Sequence, residues 1–129
     1  MHELILVIDD EPGIVDFLER GLRTHGFEVI SAFDGVSGTE MALEQDVNLV
    51  VLDMMLPKRG GLEVMAELQQ AKPALPVIVL TALDEARRRA IGAEWAAADV
   101  MTKPFSLAAL AARVRAQIDL AARVRVELS

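Results

Sequence analysis

Four short aliphatic runs in this chain end in side chains able to do chemistry. Asp9 and Asp10 follow Leu4–Ile8, Asp53 follows Val47–Leu52, Thr81 follows Pro76–Leu80, and Lys103 follows the weaker run Ala98–Thr102. Three carboxylates brought together repel: two unit charges about 4 Å apart cost roughly 4 kcal/mol at an effective dielectric of about 20. A cation relieves that repulsion. Hard oxygen ligands without His or Cys nearby suit Mg²⁺, which takes one or two carboxylates together with water and phosphate oxygens. A carboxylate can also attack phosphorus to give an acyl phosphate, a reaction that asks the protein mainly for positioning and charge neutralisation. Asp53 is the expected nucleophile, because it ends the most buried run and lies between the acid pair and the Thr81/Lys103 side. Lys103 would balance charge opposite the metal, and Thr81 would donate its hydroxyl to an oxyanion. Taken singly, an Asp-Asp pair is a solvated cap, a Thr after a strand is a turn residue and a Lys-Pro pair is a loop. Their common placement at strand ends is what points to a site.

The elements that must position these groups alternate along the chain. Between the aliphatic runs, and a further one at Phe27–Ala32, lie stretches with helical spacing. Ile14, Val15, Leu18 and Leu22 form one stripe, with Pro12 suited to its first turn and Gly26 to its stop. Gly35–Glu44, Leu62–Ala71 and Glu85–Trp95 are further helix candidates. From Ser106, a plausible N-cap, Leu107, Leu110, Ala111, Val114 and Ile118 form another stripe. A helix from Ser106 to Ser129 would be about 36 Å long, and Val124, Val126 and Leu128 alternate, so the last residues either prolong the helix or run extended. Five strand–helix repeats imply an α/β fold: a parallel sheet with helices on both faces and right-handed crossovers. Ligands bind such sheets at the carboxyl ends of the strands, where strand order reverses. If the first and third strands are neighbours, about 4.8 Å apart, the three carboxylates converge there.

Composition agrees. The 129 residues suit one domain, and 53% are hydrophobic while the aromatics are only four Phe and Trp95. An aliphatic core of this kind favours strands buried on both faces. The absence of cysteine excludes disulfides and thiolate chemistry. A formal charge of −7 argues against direct nucleic-acid binding by this domain. No apolar run approaches the roughly 18 residues of a membrane helix, and no basic–apolar leader opens the chain; a soluble, cytoplasmic protein without membrane partners is expected.

Five motifs in order, Ile8-Asp9-Asp10-Glu11, Leu52-Asp53-Met54-Met55-Leu56-Pro57, Gly61-Leu62-Glu63-Val64, Leu80-Thr81-Ala82 and Lys103-Pro104-Phe105, make the chain resemble the receiver domain of bacterial two-component response regulators over roughly residues 3–120. The resemblance implies a flavodoxin-like (βα)5 fold, doubly wound, with strand order 2-1-3-4-5. It implies a phosphorelay switch rather than an enzyme, one that catalyses only its own phosphorylation and dephosphorylation. A histidine kinase would be the donor and Asp53 the acceptor. Asp10 and Asp53 would bind Mg²⁺ directly, Asp9 through water, and Met55 through its backbone carbonyl. The Lys103–Pro104 peptide would be cis. Thr81 would move toward the phosphoryl group and remodel the face made by the fourth helix, the fifth strand and the fifth helix.

The segment from Pro104 to Ala116 is most similar to the branch carrying a winged-helix DNA-binding output domain. That implies residues 1–120 as the receiver, with 121–129 a helix extension or the start of a linker to an output domain. In that branch the remodelled face forms a homodimer through inter-subunit ion pairs. Asp99 and Arg113 match one such pair; Arg89 is present, but its usual acidic partner is Ala109. The chain departs from the family at Val100, where an aromatic residue often swings inward as the Thr moves, and at Ala98, where an acid is usual. Lys58-Arg59-Gly60 stands where an acid commonly precedes Gly61. Met55 and Leu83 occupy positions where polar side chains can orient an attacking water, so slow self-hydrolysis is expected.

Three other readings compete. A stand-alone receiver would act through protein–protein contact, with no output domain. A Mg²⁺-dependent hydrolase with an aspartyl nucleophile would need a second acid near Asp53, which is followed by Met54, Met55 and Leu56. A nucleotide- or flavin-binding module is disfavoured by Asp9-Asp10-Glu11-Pro12, which repels phosphate and lacks a glycine-rich turn.

Overall fold

Five parallel strands alternate with helices: β1 (Leu4–Ile8), α1 (Pro12–Thr24), β2 (Glu28–Ala32), α2 (Gly35–Glu44), β3 (Leu49–Asp53), α3 (Gly61–Ala71), β4 (Val77–Thr81), β5 (Ala98–Thr102) and a C-terminal helix, Leu107–Leu128. The strand order is β2-β1-β3-β4-β5. The structure, a computed structural model, describes residues 3–54, 60–82 and 98–128. The helix expected over Glu85–Trp95, with Arg89 and Trp95, lies outside the described residues, as do Met55 and Leu83.

Side chains alternate across a strand, and here both faces are apolar. Ile5, Val7, Leu49, Val51, Ile78, Leu80 and Met101 pack against Val15, Leu18 and Leu22 of α1 and against Leu110, Val114 and Ile118 of the C-terminal helix. Leu6, Ile8, Val50, Leu52, Val77, Val79 and Val100 form the other face, with Ala42 of α2 and Val64, Met65 and Leu68 of α3. This double burial is why the strands read as unbroken aliphatic runs. Each fully buried Val, Leu or Ile contributes about 1.5–3 kcal/mol.

Local chemistry sets the element ends. Pro12 stands in the first turn of α1, and Gly26 follows its end with φ 92°, the left-handed conformation that glycine adopts without cost. The Asp34 carboxylate caps α2 by accepting from the Ser37 N–H at 2.8 Å, and the Ser106 hydroxyl accepts from the Ala109 N–H at 3.0 Å. Lys72 reaches from the end of α3 to donate to the carbonyls of Ala42 and Gln45, at 2.6 and 3.0 Å, at the C-terminal end of α2.

One expectation is corrected. The third strand begins at Leu49, not Val47: Asn48 clamps Leu4 with its own N–H to the Leu4 carbonyl and its side-chain oxygen to the Leu4 N–H, both at 2.8 Å, so a side chain supplies the first rung. Of the two forms open to the last residues, the chain takes the helix, through Leu128. Ala121, Ala122 and Arg123 are strong helix formers and no Gly or Pro interrupts them, so the Val124/Val126 alternation does not break the helix. Beyond Ile118 this helix leaves the sheet, and Leu120 and Val124 are exposed.

Packing of α1 on the C-terminal helix leaves little room at Gly21. A Cβ added there would overlap the Leu107 side chain, which would have to turn aside, whereas one at Gly13 would meet nothing within 4 Å. Gly21→Ala therefore lowers unfolding stability by about 1–3 kcal/mol, while Gly13→Ala changes it by less than about 1 kcal/mol in the favourable direction. Urea midpoints for the two variants check this; equal midpoints would contradict it.

Candidate functional site

Register brings the polar strand ends together. Ile8 pairs with Leu52, so the next residues, Asp9 and Asp53, stand side by side at the rim; Asp53 in turn pairs with Leu80, and Thr81 with Thr102. Asp53 and Thr81 are the last residues of β3 and β4 rather than the first residues after them. The ladder runs one step further than the aliphatic runs, because the Met54 N–H donates to the Leu80 carbonyl at 3.1 Å and the Lys103 N–H to the Thr81 carbonyl at 2.8 Å. Asp9, Asp53 and Lys103 continue the alternation of the face covered by α1, while Thr81 continues that of the face covered by α2 and α3.

Carboxylate oxygens of Asp9, Asp10 and Asp53 all lie within 4.8 Å of one another. Asp9 and Asp53 are 1% and 5% exposed, Thr81 is buried, and Asp10 is open to solvent. The Lys103 ammonium lies 3.5 Å from Asp53 Oδ1, and the Lys103–Pro104 peptide is cis. The described residues thus place Asp9, Asp10, Asp53 and Lys103 in one neighbourhood, with Thr81 on the adjacent strand end. Met55 and its carbonyl lie outside the described residues.

The donor set fits a hard divalent cation on structural grounds. One oxygen of Asp9 accepts from the Glu11 N–H at 3.0 Å, a short-range turn that leads into α1. Its other oxygen, Oδ2, is buried with no hydrogen-bond partner, the only such side-chain atom among the described residues. Burial pushes the Asp9 carboxyl above its ordinary value, and the charges of Asp53 and Asp10 add to this; the Glu11 N–H bond and Lys103 oppose it. Among the described residues one lysine faces three acids, leaving net negative charge that a cation would neutralise.

Other residues named from the sequence lie away from the acids. Val100 is buried among the aliphatic residues of the α2/α3 face. Asp99 and Arg113, expected as an inter-subunit pair, form an ion pair within the chain that ties the C-terminal helix to β5. Arg115 ties the same helix to Glu3, just before β1, and covers the Phe27 ring at 4.8 Å. Sequence reasoning gave no role to the Glu11 N–H or to Gly61, whose N–H donates to the Met54 carbonyl at 3.2 Å. Gly61 stood out in the sequence only as the first residue of the Gly61-Leu62-Glu63-Val64 motif, which gives it no contact.

Because the folded-state pKa of Asp9 is raised, the fold holds this proton at a pH where the unfolded chain has lost it. The resulting stability is present below the ordinary carboxylate value and is lost as pH rises through the raised one. Asp9→Asn keeps an acceptor for the Glu11 N–H and removes the charge. Without divalent metal, this variant is expected to be about 1–2 kcal/mol more stable than the parent at neutral pH and no more stable in acid, by thermal melts across pH. A less stable variant at neutral pH would contradict the electrostatic reading.

Comparison with known proteins agrees with this geometry. The family model for the response regulator receiver domain matches residues 5–115. The chain is 45% identical over 116 residues to the alkaline phosphatase synthesis transcriptional regulatory protein PhoP of Bacillus subtilis (strain 168), a match covering 90% of the chain and 48% of PhoP. It therefore spans about half the length of that curated relative. Among solved structures, the Francisella response regulator 1452 receiver domain superposes with a TM-score of 0.85 at 29% identity, covering 92% of this chain and 98% of that one. A BeF3-activated DrrB receiver domain gives 0.81 at 31% identity, covering 92% and 99%. Motifs, fold, rim geometry and these relatives agree: the chain belongs to the response regulator receiver domain family.

Proposed function

We propose that this receiver accepts a phosphoryl group on Asp53 from the phosphohistidine of a histidine kinase, and that the modified domain controls transcription as its output. The observation that carries the reading is the meeting of Asp9, Asp10 and Asp53 within 4.8 Å, with the Lys103 ammonium 3.5 Å from the acceptor carboxylate. Similarity to a transcriptional regulator supports the output. In this reading residues 1–120 are the receiver, and 121–129 extend its last helix or begin a linker. The protein works in the cytoplasm; none of the described helices is long and apolar enough to cross a membrane.

Asp53 attacks phosphorus through a carboxylate oxygen. A P–O bond forms, the P–N bond to the donor imidazole breaks, and the electron pair leaves on the ring nitrogen. Asp10 and Asp53 would be the direct side-chain ligands for Mg²⁺, with Asp9 holding it through water and Met55 through its carbonyl. When bound, the ion neutralises charge on the carboxylates and the phosphoryl oxygens. Lys103 moves from pairing the Asp53 carboxylate to pairing a phosphoryl oxygen, and the Thr81 hydroxyl donates to another. The domain turns over nothing besides its own phosphoryl group.

Thr81 is the proposed link to the output face: its displacement biases a pre-existing equilibrium. Val100 gives that face a small buried side chain where relatives often carry an aromatic ring, so the response passes through aliphatic packing. Association of two modified copies through this face would require the Asp99–Arg113 pair to change from intra-chain to inter-chain.

Incubation with acetyl phosphate and Mg²⁺, followed by intact-mass measurement, is expected to show one added phosphoryl group. The addition is lost in Asp53→Asn and without divalent cation. Addition to Asp53→Asn at the parental level, or no addition to the parent, would overturn the reading. Once formed, the acyl phosphate is expected to persist for minutes or longer, since Met55 and Leu83 offer no polar group to hold an attacking water. Decay within seconds, followed by intact mass after donor removal, would contradict this.

A further inference from the structure

The two adjacent glycines before α3 are not equivalent. A Cβ added at Gly60 would meet nothing within 4 Å. One added at Gly61 would lie 2.7 Å from the Met54 carbonyl oxygen, 2.8 Å from the Met54 Cα and 3.1 Å from the Asp53 carbonyl oxygen. These neighbours are backbone atoms of the proposed acceptor and the residue after it, so no side-chain rotation relieves the clash. Gly61 is buried, is the first residue of α3, and donates its N–H to the Met54 carbonyl at 3.2 Å. Met54 is itself fixed on its other side, with its N–H on the Leu80 carbonyl of β4 at 3.1 Å. The backbone that carries Asp53 out of β3 is therefore held between β4 and the bare Cα of Gly61.

We propose that Gly61 is a positioning residue for Asp53. Its missing side chain lets the start of α3 press the end of β3 into the place where the Asp53 carboxylate meets Lys103 and the two other acids. A methyl group at 61 must push the Met54 peptide, or α3, away. The Met54–Leu80 bond resists that shift on the strand side, so the displacement is delivered to Asp53. Val64, Met65 and Leu68 of the same helix are fully buried against the sheet, which keeps α3 from backing off as a whole. The proposal rests on the reading of Asp53 as phosphoacceptor and adds to it a residue that touches neither metal nor phosphate.

The test compares the parent chain with Gly61→Ala, Gly60→Ala and Gly21→Ala, the last being destabilised far from the site. Three readouts are taken: thermal midpoint, Mg²⁺ affinity by titration, and the rate of phosphoryl uptake from acetyl phosphate at saturating Mg²⁺, all below the lowest midpoint. Gly60→Ala is expected to match the parent. Gly21→Ala is expected to lower the midpoint and leave affinity and rate unchanged. Gly61→Ala is expected to bind Mg²⁺ severalfold more weakly and to react about tenfold to a hundredfold more slowly while folded. A folded Gly61→Ala protein with parental affinity and rate overturns the proposal. So does one that stays unfolded in the cold with a stabilising osmolyte while Gly60→Ala folds, because Gly61 would then serve folding in general. A parent that takes up no phosphoryl group sinks the functional reading instead, and the Mg²⁺ titration alone then decides the role of Gly61.

Discussion

Repulsion among Asp9, Asp10 and Asp53 is the constraint on which the rest of this structure depends. The sheet forces the three acids into one small region, where Lys103 pairs with Asp53. A fold that served stability alone would not carry a buried carboxylate oxygen without a hydrogen-bond partner, as Asp9 does, since such a group costs about 1–3 kcal/mol. The cost is offset by two aliphatic cores on opposite faces of the sheet. Those cores hold the strand ends and with them the three acids together, as the proposed cation site requires.

The same arrangement explains how a small chemical event could be read at a distance. Asp53 and Thr81 end adjacent strands, and Lys103 follows the next. A group added to Asp53 alters the surroundings of all three without passing through a loop. Beyond them, β5 is tied to the C-terminal helix by Asp99 and Arg113, so movement at the rim can reach a surface element through packed backbone. The opposite side of the rim is fixed: Gly61 and Leu80 grip the Met54 peptide from two directions. A rigid anchor beside a responsive edge is what a two-state switch needs.

Much of this was legible in the residues. Double-sided burial shows as unbroken aliphatic runs, helix ends are marked by Pro12, Gly26 and Ser106, and the placement of acids, Thr81 and Lys103 after the runs located the site. What stayed hidden depends on contacts between distant residues. Asn48 replaces a strand rung with its side chain, a choice that no local preference reveals. Asp53 and Thr81 belong to their strands because neighbouring strands extend the ladder past the apolar residues. Val124, Val126 and Leu128 alternate as a strand would, yet the Ala- and Arg-rich stretch around them keeps the helix going. The need for glycine at 61 rather than 60 exists only once β3 lies beneath α3.

The claim that the rim is an electrostatically strained cation site can be tested without any phosphodonor, by following the thermal midpoint of the purified chain as Mg²⁺ is added. Binding to the folded state alone stabilises it as the logarithm of ligand concentration. The midpoint should therefore climb steadily, by an amount equivalent to about 1–3 kcal/mol at high Mg²⁺, and Asp10→Asn should flatten the climb. A midpoint indifferent to Mg²⁺, or one that climbs equally after Asp10 has lost its charge, would contradict the account.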